Sequence, residues 1–170
     1  MPKSKKKHPT TLPSRLHLQG CQRPLQSGLL LAVLYAVVMM GMSALGWQLA
    51  AWVPPAGWAL AQAALGVGVL CLYRLQKVSR WGAVGAVLLL SAALTLAPSS
   101  VFLSQAVQAL ALTGFSLVLY DVDKLTGAPL RLPGGLIFLA VVGTLLNSPL
   151  MAFAGLALLA LGSAIAMIRM

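Results

Sequence analysis

A chain of 170 residues, 59% hydrophobic and only 8% charged, cannot build the charged shell of a water-soluble domain. Its twelve Lys and Arg against two acidic residues give a net charge of +10. Those cations lie at the edges of apolar runs rather than on one face with interleaved aromatics, so nucleic acid is set aside as a partner and anionic lipid is expected instead.

Residues 1–27 read as a basic, flexible tail on the cytoplasmic side. Pro2, Pro9, Pro13 and Pro24 interrupt a helix there, and Lys5, Lys6 and Lys7 repel one another. The segment Leu18-Gln19-Gly20-Cys21 lacks the preceding apolar stretch of a lipoprotein cleavage box. Cys21 and Cys71 both fall on the basic side, where a reducing compartment argues against a disulfide or a metal site.

Residues 28–170 read as one transmembrane helical domain. Its apolar runs are Gly28–Val53, Gly57–Tyr73, Gly82–Ala97, Val101–Tyr120, Gly135–Leu146 and Leu150–Ile168. The first is longer than the apolar part of a removable signal peptide, and no small-x-small site ends it. All cations fall in alternate gaps: 1–27, 74–81, 121–134 and the last residues. The intervening gaps, at Pro54–Pro55, Pro98–Ser100 and Asn147–Pro149, hold no charge.

By the positive-inside rule both ends face the cytoplasm, and the expected location is the cytoplasmic (inner) membrane of a bacterium. The expected fold is an all-α polytopic bundle of six spans, arranged as three proline-turned hairpins. Gly135–Leu146 rises only about 18 Å, so four spans plus a re-entrant hairpin over 135–168 is the alternative. Trp47, Trp52 and Trp58 are expected to mark the outer interface, and Tyr73, Trp81 and Tyr120 the inner one.

No ionisable Asp, Glu, Lys, Arg or His lies inside an apolar run, which speaks against ion-coupled pumps and voltage sensors. His8 and His17 are both in the tail, so haem, copper and zinc lack ligands, and no intramembrane protease pair exists. The expectation is no cofactor, no metal and no enzymatic activity. Met39, Met40 and Met42 read as packing residues. Small residues (Ala59, Ala63, Ala64, Gly66 and Gly68 in the second run; Ala160, Gly162, Ala164 and Ala166 in the sixth) permit close helix contact, within the chain or with a second copy.

The uncharged polar residues Gln48, Gln62, Thr95, Ser104, Gln105, Gln108, Thr144 and Asn147 all fall in the outer halves of their segments. Amides in hydrocarbon need partners, so these faces should point into the bundle. Gln48, Gln62, Ser104, Gln105, Gln108 and Asn147 are the expected lining of an outward-facing, uncharged vestibule closed below by an apolar inner half. The alternative is that they only tie helices together.

Asp121 and Asp123 stand at the inner end of the fourth run, where a helix C-terminus disfavours negative charge unless it is compensated. Lys124 is adjacent, and Arg74, Lys77 and Arg80 occupy the neighbouring inner gap. These six residues are the expected latch, an ion pair tying the 121–134 loop to the 74–80 loop; the alternative is a solvated turn at Asp123–Gly127.

Ser99-Ser100 and the helix end Thr113-Gly114-Phe115…Tyr120-Asp121…Leu125 give the stretch Gly85–Leu125 a further meaning. It resembles the penultimate hairpin of the transmembrane Bax-inhibitor-motif family. That resemblance implies a multi-span protein proposed to leak calcium or protons, with a pair of membrane-embedded aspartates as a pH-sensitive latch. Asp121 would match the first of the pair. Residues 135–170 hold no acidic residue to match the second, and the chain is about a helix shorter than the family. The expected function is a non-enzymatic accessory or scaffold component of a membrane assembly, its partners being lipid, other membrane proteins or a second copy. The competing class is a small permeation protein using the polar outer half and the Asp121 region.

Overall fold

The computed structural model describes residues 19–46, 50–97, 101–145 and 148–170. Trp47, Gln48, Pro98, Ser99, Ser100, Asn147 and the basic tail 1–18 with His8 and His17 lie outside the described residues, as does the side chain of Thr144. Six helices follow in chain order: α1 Gln19–Leu45, α2 Val53–Gln76, α3 Ser79–Leu96, α4 Val101–Thr126, α5 Arg131–Leu145 and α6 Pro149–Arg169. There is no strand among the described residues.

The helices outrun the apolar runs that announce them. Van der Waals packing and intrahelical bonding carry α2 through Arg74 to Gln76 and back to Val53, a rise of about 36 Å rather than the 25 Å of the run alone. Pro54 and Pro55 open α2 in its first turn, and Pro149 opens α6. They start helices rather than sit in turns, because a first-turn residue has no intrahelical N–H bond to lose. Gly46 and Gly127 take left-handed φ values of 66° and 68° just past α1 and α4, the C-terminal stop that only glycine adopts freely.

Helix α1 corrects the extent of the tail. It begins at Gln19, so residues 19–27 are helical with Pro24 inside. The segment tolerates the proline because its neighbours are pinned: Leu25 is buried against Gly68, and Cys21 forms a disulfide with Cys71 across a Cα–Cα distance of 5.5 Å. The disulfide also corrects the expectation of unpaired cysteines. Spacing along the chain says nothing about which turns of α1 and α2 meet, and here the first turn of one meets the last turns of the other.

Each helix packs on the next, and α6 returns to α1, so the six close a ring. Neighbours run antiparallel: Gly28 meets Leu65 while Gly68 meets Leu25, and Gly66 meets Leu89 while Gly82 meets Tyr73. Helices α2 and α3 come close at Gly66 and Gly85, where a Cβ on either would lie 3.1 Å from the other's carbonyl oxygen. A Cβ on Gly85 would lie 2.7 Å from Leu70 Cγ, so only hydrogen fits. Small residues therefore serve contacts inside the chain.

Five of the helices are long and apolar enough to cross a bilayer; α5, at 15 residues, is shorter. It starts at Arg131, earlier than the run at Gly135 suggests, and rises about 22 Å. Large apolar side chains such as Leu34, Leu60, Leu90, Leu110, Leu117 and Leu161 point outward from the ring. In water that surface would be untenable, whereas hydrocarbon is its natural solvent.

Candidate functional site

Among the described residues a cavity lies towards each end of the ring. The one at the end where α2 begins, of about 170 Å³, is lined by Tyr35 of α1, Trp58 of α2, Gln105, Gln108, Ala109 and Leu112 of α4, Ala140 and Leu145 of α5, and Gly155, Leu156 and Leu159 of α6. Because it draws on five of the six helices, it occupies the middle of the ring rather than a seam between two. Its polar groups are two amides, an indole and a phenol, with no formal charge.

Trp58 reaches this position because α2 turns its face inward there. The ring is 4% exposed and stacks on Tyr35, centroids 4.8 Å apart. That removes Trp58 from the expected outer belt, whereas Trp52 stays exposed. One turn below, Gln62 shares the Trp58 face and is fully buried. Neither its amide nitrogen nor its oxygen has a hydrogen-bond partner among the described residues, and the Trp58 indole N–H likewise has none. Beneath Gln62 in register, Leu29, Leu65, Val69, Phe115 and Leu119 fill the ring with apolar atoms.

So the structure brings Gln105 and Gln108 together in one cavity, while Gln62, buried one turn from Trp58 on α2, does not line it. Ser104 is half-buried on α4 but does not line the cavity. Gln48 and Asn147 lie outside the described residues. Tyr35 and Trp58 were not among the expected lining; as aromatics inside apolar runs they carry no sequence mark separating inward from lipid-facing.

At the opposite end, where the cations gather, the six expected latch residues divide. Asp121 Oδ2 lies 2.9 Å from Arg80 Nε and accepts the Trp81 indole N–H at 3.1 Å. This contact joins the end of α4 to the start of α3, as expected. It also corrects the place of Trp81, which is buried at 1% exposure rather than held at the lipid interface. Asp123 turns the other way. Its Oδ2 meets Arg131 Nε at 2.6 Å and its Oδ1 accepts the Leu130 N–H at 3.0 Å, closing the short α4–α5 connection on itself. Lys124 sits 4.5 Å from the Tyr120 ring centre, a cation–π contact rather than an ion pair. Arg74 and Lys77 form no ion pair among the described residues. Lys77 instead ends α2 in a left-handed conformation, its N–H donating to the Tyr73 carbonyl.

Arg131 was missed because it lies eight residues from Asp123 along the chain, with a tight turn in between that folds it back. Among the described residues Ser91 and Ser163 are also buried with unpartnered hydroxyls. The arrangement thus offers a neutral, partly unsatisfied polar site near one end and an arginine–aspartate brace at the other.

This architecture defines a class: the chain is a multi-pass helical membrane protein. No protein-family model matches it, and neither the curated proteins nor the solved structures contain one significantly similar to it.

Proposed function

We propose that the protein is a small, non-enzymatic permeation protein that admits uncharged polar solutes through the outer cavity. The observation that carries this reading is Gln62. An amide that only tied helices together would be bonded to a neighbouring helix, and leaving it unpaired in hydrocarbon costs about 1–3 kcal/mol. A buried amide without a protein partner, one turn from the Trp58 that lines a polar cavity, is a group held ready for water or a solute. This favours permeation over the accessory or scaffold role that composition alone suggests. Absence of charge around the cavity selects against ions.

In this reading the chain crosses the cytoplasmic membrane six times as three hairpins, with both termini in the cytoplasm and α5 as a short sixth span. The cations of the inner end support that orientation. The Cys21–Cys71 disulfide pulls the other way, since such bonds persist in oxidising compartments. Burial eases the conflict: Cys21 is 1% exposed and Cys71 partly buried, which limits a soluble thiol's access to either sulfur. The resemblance to the Bax-inhibitor-motif family implies an ion leak, which the uncharged cavity does not favour, and Asp121 is held by Arg80 rather than by a second carboxylate.

Stopped-flow light scattering on proteoliposomes of the pure protein, with glycerol and urea as probes, tests the reading. Faster solute entry than in empty liposomes, lost in a Leu112→Trp variant that fills the cavity, is the expected result. Rates equal to those of empty liposomes for both probes, together with stoichiometric partners after gentle solubilisation, would return the accessory role. Protease protection of tags at the two termini tests the orientation.

A further inference from the structure

The inner cavity, of about 350 Å³, is the larger of the two and stands apart from the permeation reading. Its walls are Leu25 of α1, Leu72 of α2, Val122 of α4 and Leu130 before α5, side chains packed into the core around an unfilled space. Its mouth is formed by the α4–α5 connection at Gly127–Pro129 and by the end of α6 at Arg169 and Met170. The interior sets these apolar side chains beside Gln22 and Thr126, and Arg169 stands at the rim.

Arg169 lines the inner cavity and also the adjoining surface groove, which it shares with Asp123, Lys124 and Arg131. One N–H of its guanidinium donates to the Pro129 carbonyl at 2.9 Å, which holds the group across the mouth and leaves other donors free. Arg131 is taken by Asp123, the one carboxylate of the groove, so Arg169 and Lys124 are its uncompensated cations.

We infer that the inner end binds a single-chain anionic amphiphile, its acyl chain among Leu25, Leu72, Val122 and Leu130 and its anionic head on Arg169 with Lys124. Charge complementarity selects an anion, and an arginine fork is the group best suited to a carboxylate or phosphate. Volume selects one chain. At ~30 Å³ for a water-sized group, the space holds on the order of ten such groups, one medium acyl chain and not the two of a phospholipid. The basic tail of this protein is excluded as occupant by its own charge.

The test uses the full chain in nanodiscs of phosphatidylcholine, with dodecanoate, dodecanol and dioleoyl phosphatidylglycerol as probes, read by calorimetry and native mass spectrometry. Dodecanoate is expected to bind at least about tenfold more tightly than dodecanol, the size of effect one charge-assisted contact supplies. Arg169→Gln removes that preference, and Ala128→Phe, which fills the mouth from the loop side, removes both ligands. Arg169 is exposed at a helix end, so its replacement leaves the fold intact and keeps the comparison decisive. Equal binding of acid and alcohol, an Arg169→Gln variant with unchanged preference, or displacement of dodecanoate by equimolar phosphatidylglycerol would each overturn the inference. No flux measurement enters, so the fate of the outer cavity is judged separately.

Discussion

Asp121 and Arg80 meet at 2.9 Å where the end of α4 lies beside the start of α3, and the same carboxylate oxygen takes the indole N–H of buried Trp81. One oxygen thus braces two consecutive residues of the neighbouring helix. Asp121 is largely buried at 14% side-chain exposure while Arg80 is open at 69%, so the brace is anchored on the aspartate side. Asp121→Asn is expected to lower stability by about 1 kcal/mol, and Arg80→Gln by at least as much, because it leaves a largely buried carboxylate uncompensated at a helix C-terminus. A double-mutant cycle read by thermal unfolding in detergent measures the coupling. Additive losses would show that the two groups do not act together.

Gln62→Leu separates stability from function. The amide is buried without a partner, so an apolar side chain of similar shape should leave thermal stability unchanged or raise it, within about 1–3 kcal/mol. Solute entry into proteoliposomes should fall in the same variant. A destabilised Gln62→Leu protein would mean that the amide is bonded after all.

Glycine substitutions should divide by surroundings. Gly85→Ala places a Cβ 2.7 Å from Leu70 Cγ and 3.1 Å from the Gly66 carbonyl oxygen, and should cost about 1–3 kcal/mol. Gly20→Ala meets nothing within 4 Å and should gain about 0.5–1 kcal/mol through helix propensity. Thermal unfolding of the two variants side by side gives the comparison, and similar losses in both would contradict the packing described for α2 and α3.

The disulfide makes a covalent prediction. Intact protein should resist maleimide until reductant and denaturant are added together, since Cys21 is buried against α2. The bond closes a loop of 50 residues, for which chain entropy alone gives about 4 kcal/mol in water. In a bilayer α1 and α2 are already confined side by side, so Cys21→Ser with Cys71→Ser should cost clearly less. Immediate labelling of both thiols in native protein would rule the bond out.

How much of this was legible beforehand follows from the solvent. Hydrocarbon forces each segment to satisfy its own backbone, so apolar runs parted by prolines and charges read directly as helices and ends. The Asp121 contact with the 74–80 region was readable too, because charges in such a chain have few places to go. Asp123 was not: its choice of Arg131 depends on the sharp turn at Gly127, whose left-handed φ brings α5 back beside α4.

What the amino-acid order determined by itself was the set of helices, their membrane class and the gathering of cations at one end. Only the tertiary structure decided which face of each helix looks inward. It turned Trp58 and Trp81 to the core, paired Cys21 with Cys71, and left Gln62 buried without a partner. The reason is physical: in lipid both faces of a helix are apolar, so no polar stripe marks the buried side, and glycine-limited approach and a few polar contacts choose it instead.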